Sequence, residues 1–154
     1  PESLVAAGAR GVMLNHCEKP LSLAALTQTI RRADEVGLAT IVCTDSVAEA
    51  AGVAHLAPNI IVAEPTELIG TGQTSDMEYV KASIEAVKSV NPDIYVLQSA
   101  GISNGEDVYR VIYSGAEATG SSSGVVKAPD RAAMLDEMIG AVRRAWDDRK
   151  IKIN

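Results

Sequence analysis

The sequence has very few aromatic residues. Among its 154 residues there is no Phe, one Trp and four Tyr, so aromatic side chains make up 3% of the chain. Proteins that bind single-stranded nucleic acid stack its bases on aromatic rings, so binding of that kind is not expected. The hydrophobic core has to be aliphatic, and the supply is ample because 47% of the residues are hydrophobic.

The sequence also lacks a block of basic residues. It has 14 Lys and Arg against 20 Asp and Glu, which gives a net charge of -6 with His neutral. An acidic chain of this kind is a poor binder of nucleic acid or of an anionic membrane surface, so neither partner is expected. No hydrophobic run approaches the length of about 20 residues that spans a membrane, so neither a membrane span nor a signal peptide is expected.

Cysteine is scarce, with only Cys17 and Cys43 in the chain. Two cysteines do not make a disulfide framework, so we expect reduced thiols and a cytoplasmic protein. The two residues also lack the spacing of metal ligands, so a metal site is not expected.

Short apolar runs alternate with longer amphipathic segments along the whole chain. The short runs predict buried parallel strands at residues 11–14, 39–43, 60–63, 94–97 and, more weakly, 116–119. Apolar spacing of three and four predicts helices at residues 23–36, 46–56, 77–90, 106–113 and 130–146. Ser46 with Glu49 predicts a capping box, and Asp130 is a candidate N-cap.

The alternation predicts an α/β fold with right-handed βαβ units in a single domain over residues 1–154. Alternation alone does not choose between an open, doubly wound sheet and part of a barrel. In both cases the function is expected in the loops that leave the carboxyl ends of the strands.

These loops carry a distinctive set of residues. His16 follows the first strand and Glu64 follows the third, while residues 70–72, 99–103 and 120–124 are rich in Gly and Ser. One imidazole, one carboxylate and three small-residue loops suit an acid/base pair beside a site for a small anion. Each feature also has a structural reading, because a lone His is more often structural and a Gly or Ser stretch is often a simple turn.

The sequence EPTELIGTG at residues 64–72 resembles the flexible lid of the triosephosphate isomerase family, whose pattern is E-P-x-x-x-I-G-T-G. The sequence NHCE at residues 15–18 is similar to the family's catalytic-histidine segment, which reads N-H-S-E in the compact archaeal type. Residues 100–108 and 123–128 also resemble the archaeal type. The order of the motifs is the order in the family.

The resemblance implies a parallel (β/α) barrel of the TIM type, of which this chain holds only the last five of eight βα units. It implies interconversion of dihydroxyacetone phosphate and glyceraldehyde 3-phosphate through an enediolate, without a cofactor. His16 would be the electrophile and Glu64 the base, and residues 65–75 would form the lid. The phosphate would bind to Gly70, Ser103, Ser122 and Ser123, and the first hinge of the lid would be Pro65, Thr66 and Glu67.

The chain departs from the family pattern in three ways. The first three βα units and their catalytic Lys are missing, and together with a start at Pro1 this suggests a cut or processed N-terminus. Cys17 stands where the family usually has Ser, and residues 117–122 are polar where the family has an apolar strand. We expect either a homo-oligomer, dimer or tetramer, or association with the missing N-terminal segment.

Two alternatives to an isomerase stay open at this point. The chain could be a catalytically inactive barrel fragment or complementing module that lacks the Lys. It could also be another phosphate-binding barrel enzyme, although the lid sequence has no role in such an enzyme.

Overall fold

The computed structural model describes residues 1–153 of the chain, with side chains up to Ile151. The strands are β1 (Gly11–Leu14), β2 (Ala39–Thr44), β3 (Ile60–Ala63), β4 (Tyr95–Gln98) and β5 (Ala118–Thr119). The helices are α1 (Glu2–Ala6), α2 (Leu23–Glu35), α3 (Val47–Ala54), α4 (Met77–Val90), α5 (Gly105–Tyr113), α6 (Ser123–Val126) and α7 (Arg131–Ile153). In the described part of the chain, no helix is both long enough and apolar enough to cross a membrane.

All five strands are parallel and lie in the sheet in their order along the chain, β1-β2-β3-β4-β5. In a doubly wound sheet the order reverses at a switch point, and here it does not. Right-handed crossovers that always step in the same direction put every connecting helix on the same face of the sheet. This is the winding of a barrel wall, so the prediction of a TIM-barrel-type α/β fold is confirmed.

The core lies between the sheet and the helices. The first hydrophobic cluster packs α2 and α3 against the middle strands, and contains Leu26, Ile30, Val42, Ala50, Val53, Ala54, Ile61, Val87, Ile94 and Val96. The second packs α5 against α7, and contains Val80, Ile102, Val108, Val111, Ile112, Ala116, Met138, Ala141 and Ala145. Neither cluster contains Phe, since the chain has none.

The opposite face of the sheet is open to solvent. The side chain of Met13 on β1 is 57% exposed and that of Tyr95 on β4 is 58% exposed. Within residues 1–153, β1 pairs only with β2 and β5 pairs only with β4, so the described sheet does not close on itself. The face that would fill the interior of a closed barrel is therefore exposed at these two positions, although Cys43 and Val62 on the same face are buried.

The last strand is shorter than predicted, with only two residues in β5. The reason is Glu117, whose carboxylate turns back to accept the backbone N–H of Val96 at 2.9 Å and to pair with Lys88 at 2.8 Å. The backbone N–H of Glu117 still donates to the carbonyl of Val96 at 3.0 Å, but the Glu117 carboxylate takes the Val96 N–H that a backbone carbonyl of the longer strand would accept. The prediction of strand residues 94–97 is one residue too early, since β4 is Tyr95–Gln98.

The helix ends agree with the sequence more closely than the strands do. The Ser46 hydroxyl accepts the N–H of Glu49 at 3.2 Å, and Asp130 accepts the N–H of Ala133 at 3.0 Å. The predicted capping box is only half formed, because the Glu49 carboxylate accepts the N–H of Asp45 at 2.7 Å. The final helix runs on to Ile153, beyond the predicted end at Trp146, and α6 was not predicted at all. Residues 121–123 therefore lead into a helical turn.

Two leucines of α2 provide a test of the core. Leu26 is 2% exposed in the first cluster, whereas Leu23 on the same helix is 66% exposed. We expect Leu26→Ala to lower the free energy of unfolding by about 2–5 kcal/mol, because the change leaves a cavity. The matched variant Leu23→Ala should change it by no more than about 0.5 kcal/mol. Urea unfolding of both variants checks this, and equal losses would contradict the assigned core.

Candidate active site

His16 lies in the loop that leaves β1, and Asn15 holds this loop in place. Asn15 has a positive φ of 58°, and its side-chain amide donates to the carbonyl of Cys43 at 3.0 Å. The Nδ1 atom of His16 accepts the backbone N–H of Glu18 at 3.3 Å. In the neutral ring the proton is therefore on Nε2, the nitrogen that faces Glu64.

Glu64 comes directly after β3, and its side chain is only 14% exposed. Its Oε1 atom accepts a hydrogen bond from the hydroxyl of Ser99 at 2.8 Å. Its Oε2 atom lies 3.8 Å from His16 Nε2, which is too long for a direct hydrogen bond. The structure thus brings the two residues that were singled out as electrophile and base face to face.

A cavity of about 240 Å³ opens beside this pair. Its walls include three carboxylates, those of Asp45, Glu49 and Glu64, and both thiols of the chain. Within residues 1–153, no Lys or Arg lines it. Burial raises the pKa of the Cys43 thiol to about 11, so this thiol stays protonated and unreactive.

The small-residue loops meet next to the pair. Gly70, Ser122 and Ser123 line a small cavity that Glu64 also lines. A neighbouring cleft of about 330 Å³ is lined by Gly70, Ser103, Ser123 and Lys127. The four residues expected to bind phosphate therefore lie on two adjoining cavities.

Ser103 is already engaged in this structure. Its backbone N–H donates to the carboxylate of Asp107 at 3.1 Å, and its hydroxyl donates to the same oxygen at 2.9 Å. An anion that used the Ser103 N–H would have to displace this carboxylate.

The proposed lid begins with the buried Pro65 and continues as a 3-10 turn over Thr66–Leu68. The N–H of Thr66 donates to the carboxylate of Asp45, in the loop after β2, at 2.6 Å. This hydrogen bond holds the pKa of the Asp45 carboxyl below its usual range. The first hinge is thus tied to a neighbouring strand end.

The far end of the lid packs against the loop after β4. A Cβ atom on Gly101 would lie 1.8 Å from the carbonyl oxygen of Gln73, so only Gly allows this approach. Gly101 also has a positive φ of 69°, and the preceding Ala100 has one of 71°. A non-glycine residue with positive φ is uncommon, so the tight loop is held by its surroundings.

Sequence reasoning missed three residues at this site: Ser99, Asp45 and Lys127. Ser99 and Asp45 directly follow β4 and β2, so the rule that points to the carboxyl ends of the strands covers both. Ser99 belongs to the small-residue loop at residues 99–103, but only Ser103 of that loop was given a role, and Asp45 was not singled out. Lys127 follows α6, and that helix was not predicted.

The contact between Asp45 and Thr66 provides a test of the first hinge. We expect Asp45→Ala to speed hydrogen exchange of the Thr66 amide by about tenfold or more at neutral pH, because its acceptor is lost. Asp45→Asn keeps an acceptor oxygen and should give a smaller effect. The amide of Glu64, which bonds to the carbonyl of Thr44 at 2.9 Å, is the internal control.

The same contact has a definite pH dependence. The pKa of Asp45 is lower in the folded chain than in the unfolded chain. The stability that its hydrogen bond with Thr66 gives the fold is therefore fully present above the ordinary pKa of a carboxyl group. It is lost as the pH falls through the depressed value. If the Thr66 amide exchanges at the same rate in Asp45→Ala and in the parent chain at neutral pH, the contact between Asp45 and Thr66 is refuted.

Known proteins match this chain in sequence over most of its length. The family model described as triosephosphate isomerase matches residues 1–138. Triosephosphate isomerase of Methanosarcina mazei is 42% identical over 139 residues, which is 88% of this chain and 63% of the relative. That of Methanocaldococcus jannaschii is 41% identical over 141 residues, which is 90% of this chain and 64% of the relative. The chain therefore spans less than two thirds of the length of these relatives.

The structural comparison agrees on the fold. Thiamine phosphate pyrophosphorylase from Pyrococcus furiosus superposes with a TM-score of 0.73 at 19% identity, over 94% of this chain and 64% of that one. Identity this low supports a shared fold and not a shared reaction. The family model and the archaeal relatives go further than the fold, and by them the chain belongs to the triosephosphate isomerase family.

Proposed function

We propose that this chain carries the acid/base pair, the lid and the phosphate loops of a triosephosphate isomerase. The substrate is then a triose phosphate, and the reaction interconverts dihydroxyacetone phosphate and glyceraldehyde 3-phosphate. The observation that carries the proposal is the juxtaposition of His16 and Glu64, with Nε2 and Oε2 3.8 Å apart. They follow the carboxyl ends of β1 and β3, which have β2 between them. The family membership of the chain supports the same reaction.

Glu64 is the proposed base. Its carboxylate takes a proton from one carbon of the substrate and returns it to the adjacent carbon, so no proton is lost overall. The intervening species is an enediolate. The partial burial of Glu64 and its fixed Oε1 atom suit the role of the base, because the base must reach a carbon-bound proton in a defined direction.

His16 is the proposed electrophile. The neutral ring carries its proton on Nε2 and donates it toward the carbonyl oxygen of the substrate, and the same ring then shuttles a proton between the two oxygens. This division between a glutamate base and a neutral histidine is the known one for the family. The hydrogen bond from the Glu18 N–H to Nδ1 supports it, because it fixes the tautomer.

The phosphate is proposed to bind where Gly70, Ser103, Ser122 and Ser123 line adjoining cavities. Small residues let backbone N–H groups approach an anion closely. Lys127 lines the same cleft and adds a positive charge to a site otherwise short of one. Closure of residues 65–75, hinged at Pro65, Thr66 and Glu67, would cover the intermediate and exclude water.

The alternative is a module of the same family that does not turn over by itself. It is favoured by the acidic cavity beside His16, whose described walls contain three carboxylates and no Lys or Arg. The other alternative, a different phosphate-binding barrel enzyme, is set aside by the family match. We further propose a cytoplasmic homo-oligomer or an assembly with the first three βα units, since the unpaired edges of β1 and β5 suit a partner.

The role of the base is tested in the chain completed by the first three βα units of the Methanosarcina mazei relative. We expect Glu64→Gln to lower kcat by several orders of magnitude, because an amide cannot accept the proton. The matched control Glu85→Gln lies on the exposed side of α4 and should leave kcat unchanged. A coupled isomerase assay measures both, and full activity of Glu64→Gln would remove Glu64 from the mechanism.

The chain without those units is expected to show little or no turnover. The enediolate and the phosphate are both negative, and the net charge of the chain is -6. Loss of one preorganised donor costs roughly 10²–10³ in rate, and loss of the family's ammonium group should cost at least as much. Turnover on the order of 10 s⁻¹, a typical enzyme value, from the mass-verified 154-residue chain would contradict this.

A further inference from the structure

The hydroxyl of Ser99 is the contact that the reaction described above leaves unexplained. It donates to Glu64 Oε1 at 2.8 Å. Within residues 1–153, it is the only group in hydrogen-bond contact with this carboxylate, since His16 Nε2 is 3.8 Å away. A hydroxyl that donates to an ionised carboxylate makes a strong, directional bond.

The position of Ser99 is set by the sheet and not by a mobile loop. Ala63 and Gln98 are paired in register at the ends of β3 and β4, so Glu64 and Ser99 are the next residues on each strand. The N–H of Ser99 donates to the carbonyl of Ala63 at 3.2 Å. Both backbones are thus fixed beside each other, and the two side chains emerge on the same side.

The neighbours of Ser99 show that this orientation is specific. Side chains alternate along a strand, and Gln98 points the other way, donating to the hydroxyl of Ser83 at 2.7 Å in the helix layer. Cys17, next to His16 in the chain, lies 3.7 Å from His16 Nδ1 through its sulfur. A thiol is a weak donor, so it would not replace the hydroxyl if Ser99 were removed.

We propose that Ser99 is a positioning residue, which holds Glu64 Oε1 so that Oε2 faces His16 and the substrate. This inference rests on the proposed isomerase function. A glutamate side chain has three rotatable bonds, and a fixed Oε1 removes much of that freedom before the substrate arrives. The proton-accepting oxygen is then already aimed at the reacting carbon.

The direct test is the position of Glu64 in crystal structures of the chain and of its Ser99→Ala variant. We expect the Glu64 carboxylate of the variant to leave its place and to adopt other rotamers. Ser99→Cys keeps the size of the side chain with a weaker donor and should give the same release. Ser99→Thr retains a hydroxyl and should keep Glu64 where it is. The inference is overturned if the Glu64 carboxylate stays in place in Ser99→Ala. If the alanine variant does not fold, an unmoved Glu64 carboxylate in Ser99→Cys overturns it instead.

The kinetic test uses the completed enzyme. We expect Ser99→Ala to lower kcat by about tenfold to a hundredfold with KM little changed, since a displacement of about 1 Å can cost that much. Ser99→Thr should restore most of kcat. The control Ser89→Ala removes an exposed hydroxyl of α4 that donates to the carbonyl of Ala86 at 3.1 Å, and should change neither constant.

The two ideas fail in different ways. A fully active Glu64→Gln enzyme would overturn the proposed function, whatever Ser99 does. An inactive Glu64→Gln enzyme with an unaffected Ser99→Ala enzyme would overturn only the role of Ser99. A fall in kcat for Ser99→Ala that Ser99→Thr does not restore would assign the loss to packing, and would overturn the positioning role as well.

Discussion

The site depends on the register of the parallel sheet. Thr44 pairs with Ala63 and Ala63 pairs with Gln98, so the loops after β2, β3 and β4 begin side by side. A slip of one residue would turn each side chain to the other face of the sheet. Asp45, Glu64 and Ser99 are each the next residue after these pairs. Their positions set the hydrogen bond between Glu64 and Ser99 and the hydrogen bond between Asp45 and Thr66. Backbone pairing therefore sets the geometry of the chemistry.

Neutral donors hold the carboxylates of the site. Glu49 accepts the side-chain amide of Asn15 at 3.1 Å and the N–H of Asp45 at 2.7 Å, Asp45 accepts the N–H of Thr66, and Glu64 accepts the hydroxyl of Ser99. Such bonds satisfy each carboxylate without cancelling its charge. The cavity of about 240 Å³ that these carboxylates line therefore stays negative, next to the cavities where the phosphate is proposed to bind. A cation near the reacting oxygens is therefore the component that the described residues do not supply.

The sequence predicted the parts that depend on local pattern. Apolar runs located β1 to β3, and the ends of these strands located His16 and Glu64. The contact of Ser99 with Glu64 joins residues 35 positions apart, and it depends on a register that periodicity does not reveal. The short β5 depends in the same way on Glu117, whose carboxylate reaches back to β4. These two misses are thus long-range side-chain contacts, whereas the unpredicted α6 and the longer α7 are misses of local structure.

The lid combines fixed ends with a locally bonded middle. Thr66 is tied to the loop after β2, while Gln73 packs on Gly101 in the loop after β4. Between them the hydrogen bonds are local, such as that from the Thr71 hydroxyl to the carbonyl of Leu68 at 2.8 Å. A segment with strong end contacts and few long-range ones moves as a unit about its ends. Since Glu64 immediately precedes the first end, the proposed lid motion would act directly on the backbone of the proposed base, and the Ser99 hydroxyl is the contact that would oppose it.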